Sequence, residues 1–142
     1  MRAIVYAAAL SLFAGATQAA VTATDAWVRG TVPSQKTTGA FLTLTSTAEA
    51  RLVAVSTPAA KSAEIHTSEE MGGVMHMHAL DAIALPAGKR VELKPGGFHI
   101  MLVGLTRALG AGDQVPLTLT IEEAGGKRTQ VEVRAAVRPL GQ

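Results

Sequence analysis

The chain has 142 residues, 48% of them hydrophobic, with 13 basic against 11 acidic side chains and no cysteine. That length suits one domain around one core, and the near balance of charge gives no nucleic-acid or anionic-membrane surface. The absence of thiols excludes a disulfide framework and any thiolate-based copper centre of the electron-transfer or cytosolic-carrier kind.

Residues 1–19 read as a secretory signal peptide. Arg2 supplies an early cation, Ala3 to Ala14 form an apolar stretch, and Thr17-Gln18-Ala19 offers a small-x-Ala cleavage site, so the mature start is expected near Ala20. The apolar run is shorter than the ~20 residues a spanning helix needs, and no membrane span is expected in the mature protein. Cleavage removes Arg2 and no acid, leaving 12 basic against 11 acidic side chains on an exported domain over residues 20–142.

Beyond the leader, short segments rich in Val, Leu, Ile and Thr recur between Gly and Pro turn signals, without a sustained 3.6-residue periodicity. The pattern predicts strands over Thr22 to Arg29, Gly39 to Thr45, Leu52 to Thr57, Ala63 to Thr67, Val74 to Ile83, Arg90 to Lys94, Phe98 to Leu105, Val115 to Glu122 and Lys127 to Val137. Gly72-Gly73, Pro95-Gly96-Gly97 and Gly125-Gly126 are the turn signals, the first reversing the chain between His66 and Met77. Pro116 belongs at a strand start or edge. Eight or nine short strands in an exported domain predict an all-β Greek-key sandwich or small barrel. Trp27, the only tryptophan, is expected to anchor the core, and Glu64, Glu69 and Glu70 to be solvated strand-end charges.

Four residues carry chemistry: His66, Met77, His99 and Met101, in the spacing His-x10-Met-x21-His-x-Met. Thioether sulfur selects monovalent copper over hard divalent ions, and imidazole completes a three- or four-coordinate site without a charged ligand. Taken singly, each has a plainer reading, since methionine commonly fills cores and histidine is common on surfaces. Strand alternation favours the joint reading: Phe98, Ile100 and Leu102 share one face for the core, leaving His99 and Met101 on the other, and Ile65 points inward while His66 points away. Met71, Met75, His76 and His78 form a second concentration of copper-competent residues. On a regular strand His76 and His78 face opposite to Met77, which leaves two readings: a solvated surface pair, or a weak additional site for oxidised copper. There is no nucleophile elbow, phosphate loop or His-Glu-x-x-His, so an enzyme is not expected.

Asp25-Ala26-Trp27-Val28-Arg29, Gly39-Ala40-Phe41, Pro58-Ala59-Ala60, Glu64-Ile65-His66, Gly73-Val74-Met75 and Leu93-Lys94-Pro95-Gly96-Gly97-Phe98-His99, with the His/Met spacing, resemble the periplasmic copper chaperones of the PCu(A)C type (DUF461 family) across essentially the whole mature domain. The resemblance implies a cupredoxin-like fold and His66, Met77, His99 and Met101 as Cu(I) ligands. It further implies delivery of copper in the periplasm toward the CuA centre of cytochrome c oxidase subunit II, alongside thioredoxin-like copper assembly proteins. Where relatives often carry a further Met or His after the first ligand, this chain has Thr67 and Ser68, so no fifth ligand is expected. Two other readings stay open: a periplasmic copper-buffering or resistance protein using the same ligands, and an exported β-sandwich for protein interaction with the His/Met set incidental. A monomer is expected.

Overall fold

The computed structural model describes residues 19–140; the leader expected over residues 1–19 lies, but for Ala19, outside them. Ten strands follow one another: β1 (Val21–Arg29), β2 (Thr37–Ser46), β3 (Ala50–Ser56), β4 (Ala60–Met71), β5 (Val74–Ala79), β6 (Ile83–Leu85), β7 (Arg90–Leu93), β8 (Phe98–Leu105), β9 (Gln114–Glu123) and β10 (Arg128–Arg138). They hydrogen-bond in the order β5-β4-β8-β2-β1-β10-β9-β3-β6, with β7 also on β2.

Connection length shows that this path is rolled. β5 and β6 stand at its two ends yet are separated by only Leu80-Asp81-Ala82. Ala79 and Ile83 can therefore be at most about 14 Å apart, whereas a flat sheet of nine strands would hold its outer strands about 38 Å apart. The sheet must turn back on itself, enclosing its inner face, and stays open where β5 and β6 do not pair. The all-β, cupredoxin-like sandwich expected from the sequence is the architecture observed.

β2 is the pivot. On one edge its first part, Thr37 to Ala40, pairs with β8 and its later part, Leu42 to Thr45, with β7; its other edge pairs with β1. Its residues from Ala40 to Leu44 are all buried, as expected of a strand covered on both faces. On its other edge β1 pairs in parallel with β10 through Trp27 to Arg29 while Trp27 and Val28 still pair with β2, joining the two halves of the path.

Period-two alternation fills the interior. Val115, Leu117, Leu119 and Ile121 of β9 are at most 1% exposed and face Leu42, Leu44, Leu52, Ile100 and Leu102 in one continuous core. Every strand except β5 contributes to it. Pro116 sits where β9 has β10 on one edge but has passed the end of its pairing with β3, a position that needs no second ladder N–H.

Three expectations are corrected. The single strand predicted over Val74 to Ile83 is two, because Ile83 and Leu85 are 2% and 0% exposed and pair with β3 in the core, while β5 is exposed throughout. Trp27 is half-buried outside the core. A β-bulge between Thr24 and Trp27, with Asp25 at φ 55°, inserts one residue and flips the alternation, so Ala26 and Val28 face the core in its stead. Phe98 does not share the burial of Ile100 and Leu102 but is 37% exposed, since it pairs with Thr67 on the part of β4 that runs past the core.

Candidate metal centre

β8, β4 and β5 are neighbours, and their registers decide which side chains meet. His66 of β4 lies opposite His99 of β8, with Glu64 opposite Met101, while Ser68 lies opposite Met77 of β5. Cross-strand partners share a face, as do residues two apart on one strand. His66, Met77, His99 and Met101 therefore stand on one face, the outer one. The hairpin that brings Met77 there turns at Gly72-Gly73, with φ of 61° and 81°, between paired Met71 and Val74. A two-residue turn with both central φ positive matches the strand twist and admits glycine without steric cost.

The four side chains form a base and a rim. His99 is 4% exposed and the His66 side chain 16%, with ring centroids 5.7 Å apart. Met101 is partly exposed, and Met77 is 61% exposed. Met77, His99 and Met101 line a shallow cavity of about 120 Å³ together with Arg29, Gly39 and Phe41. Phe41, 3% exposed yet outside the main core, backs the site: its ring lies 6.4 Å from that of His99 and 4.5 Å from that of Trp27. The guanidinium of Arg29 lies 5.6 Å from the Phe41 centroid and that of Arg138 4.2 Å from the Trp27 centroid. Outside the core, Trp27 thus packs against Phe41, which lines this cavity.

Hydrogen bonding selects the tautomer of each neutral imidazole. His99 Nδ1 lies 3.0 Å from the Gly97 carbonyl oxygen, which can only accept, so Nδ1 carries the proton and Nε2 keeps its lone pair. His66 Nε2 lies 2.8 Å from Glu64 Oε2; it donates to the carboxylate, and Nδ1 keeps the lone pair. His99 Nε2 and His66 Nδ1 are the two buried side-chain nitrogen or oxygen atoms without a hydrogen-bond partner among the described residues. Leaving such an atom unpaired costs about 1–3 kcal/mol, so two on one face beside two thioethers call for an occupant. No group of three or more His, Cys, Asp or Glu among the described residues surrounds a common point, so only with the methionines does this face offer four donors.

His76 and His78 lie on the opposite face of β5, across from Glu69 and Thr67, with near-parallel rings 6.5 Å apart and His78 Nε2 3.9 Å from Glu69. They stand apart from the four, as strand alternation predicts. Met75 shares the Met77 face, one step nearer the turn, and is 53% exposed. Glu64 is not the strand-end charge expected of it: β4 starts at Ala60, and its carboxylate bonds His66. Its position two residues before His66 on a strand was the available sign. A larger cleft, about 340 Å³, opens beside Arg51, Glu122 and Gly125, where Arg51 pairs with Glu122.

A model of the family described as "Putative lipoprotein LpqE-like" matches residues 21–133. A curated relative, "Putative lipoprotein Lxx21020" of Leifsonia xyli subsp. xyli (strain CTCB07), is 30% identical over 115 residues, 80% of this chain and 69% of that protein. Among solved structures, the solution structure of CuI-DR1885 from Deinococcus radiodurans superposes with a TM-score of 0.61 at 33% identity, covering 80% of this chain and 74% of that one. The copper-bound PCuAC domain from PmoF2 superposes with a TM-score of 0.67 at 25% identity, covering 84% and 92%.

Proposed function

This chain belongs to the LpqE-like family, and from that premise we propose that it is a Cu(I) carrier that binds one ion through His66 Nδ1, His99 Nε2 and the sulfurs of Met77 and Met101. The observation that carries the reading is the pair of buried, unpartnered imidazole nitrogens on the face that also holds both thioethers. An all-neutral set of two nitrogens and two sulfurs suits a soft monovalent ion. The copper-bound PmoF2 domain and CuI-DR1885 support the choice of metal.

The division into base and rim fits a carrier rather than a permanent holder. The imidazoles are held in their metal-ready tautomers by Gly97 and Glu64, so little is reorganised as the ion arrives. Met77 is open to solvent and is the donor an acceptor reaches first. Copper can then leave by stepwise exchange, the thioethers yielding to incoming ligands before the imidazoles do. The family's description as a lipoprotein supports an exported location, and no helix among the described residues is long and apolar enough to cross a membrane. The periplasm as compartment, and the CuA centre of cytochrome c oxidase subunit II or a thioredoxin-like copper assembly protein as acceptor, are the remaining parts of the proposal.

The test is an anaerobic Cu(I) titration of the domain against a chromophoric chelator, comparing wild type with Met77→Ala/Met101→Ala. One tight equivalent that is lost in the variant is expected; absence of tight binding by wild type would refute the reading. Transfer to an isolated CuA domain, followed by its absorption, then separates delivery from storage.

A further inference from the structure

We infer that Glu64 is a positioning residue for copper binding, acting through His66; the inference rests on the Cu(I) reading above. Its carboxylate accepts from His66 Nε2 at 2.8 Å, and its backbone lies opposite Met101 on β8, so it stands on the same face as the four donors. An imidazole in water exchanges its proton between two nitrogens and turns about its χ2 bond. The carboxylate stops both: it holds the proton on Nε2 and thereby keeps the lone pair on Nδ1, the buried atom left without a partner.

The two imidazoles are anchored by different means. His99 is oriented by the Gly97 carbonyl, a backbone group that no side-chain substitution removes. His66 depends on a side chain, half exposed at 51%, that can be changed without opening the core. Glu64 is therefore the position at which the grip on the ion can be altered while all four donors stay in place.

The decisive comparison uses wild type, Glu64→Ala and Glu64→Gln. Gln keeps the length and an accepting oxygen but not the charge, and a proton moved to Nδ1 would face no oxygen acceptor at the site. Histidine ring 15N shifts of the copper-free proteins report the tautomer without any metal. Wild type and Glu64→Gln are expected to hold the Nε2–H form of His66, and Glu64→Ala to lose it. In Cu(I) competition, Glu64→Ala is expected to bind roughly 10–100-fold more weakly and Glu64→Gln within about threefold of wild type, with urea midpoints unchanged in both. An unchanged His66 signature in Glu64→Ala, an unchanged affinity, or a Glu64→Gln variant as weak as Glu64→Ala would each overturn the inference, the last by assigning the effect to charge. If wild type itself bound no Cu(I) while its tautomer followed this pattern, the copper reading would fall and the positioning of His66 would stand.

Discussion

Gly39→Ala adds one methyl to the wall of the candidate metal centre, and the structure sets its cost. A Cβ at Gly39 would lie 2.8 Å from Cζ and 3.2 Å from Cε2 of Phe41, where ordinary carbon contacts lie at about 3.5–4.0 Å. The ring must retreat by about 1 Å. It has little room: Phe41 is 3% exposed, with the tilted Trp27 ring at 4.5 Å and the His99 ring at 6.4 Å. Gly39 is not among the positive-φ residues, so the penalty is steric alone, about 1–3 kcal/mol by analogy with other overpacked sites. Gly39 pairs with Met101 and the Phe41 ring backs His99, so displacing that ring should disturb the proposed donors and lower Cu(I) affinity along with stability. Urea denaturation of Gly39→Ala, Phe41→Leu and the double variant is the assay. Shortening the ring relieves the clash, so the double variant should be less destabilised than the two singles combined by at least about 0.5 kcal/mol, beyond the additivity error of independent sites. A Gly39→Ala change within 0.5 kcal/mol of wild type, or strict additivity, would refute the steric argument.

Met77→Ala should separate binding from folding: the side chain is 61% exposed, so the urea midpoint should move by less than about 0.5 kcal/mol, while Cu(I) affinity should fall by at least the roughly tenfold seen for outer-shell losses. An equal loss of stability would mean that Met77 serves packing. Gly73→Ala, at φ 81°, should speed amide hydrogen exchange across Val74–Ala79 and leave β9 unchanged, because β5 contributes nothing to the core; slowed or unchanged exchange in β5 would contradict this. Glu122 is held below the usual carboxylate range, first by its hydrogen bond from Arg51 and further by Arg128. A lowered folded-state pKa contributes stability above the unfolded value of about 4.3, and that contribution is lost as pH falls through the folded value. Wild type should therefore exceed Glu122→Gln in stability at neutral pH, and the gap should close as pH falls below the usual carboxylate range; a gap independent of pH would remove the ion pairs from the account.

The core was legible because it rests on alternation alone: Ile100 and Leu102 against His99 and Met101, or Ile65 against His66, can be sorted by counting in twos. Trp27 failed under the same count because one inserted residue at Asp25 reverses parity, and nothing in Thr-Asp-Ala-Trp announces a bulge. Phe98 failed because parity tells which way a side chain points but not whether another layer lies opposite. β5 and β6 looked like one strand because what divides them is a change of partner, from β4 to β3, which is set by chain segments far away. Glu64 was misread through its boundary: with β4 begun at Ala63 it seemed terminal, and begun at Ala60 it lies within the strand and reaches His66.

Among the described residues β5 is the one strand that gives no side chain to the core, yet it carries Met77, an exposed member of the four proposed donors. A change at residues 74–79 thus puts little of the fold at risk. Sequence drift in that hairpin can exchange a thioether for an imidazole or a carboxylate, or remove it, while the rolled sheet beneath persists. Metal preference is free to diversify among descendants of one scaffold faster than the scaffold itself, and homologues that share the core need not share a metal.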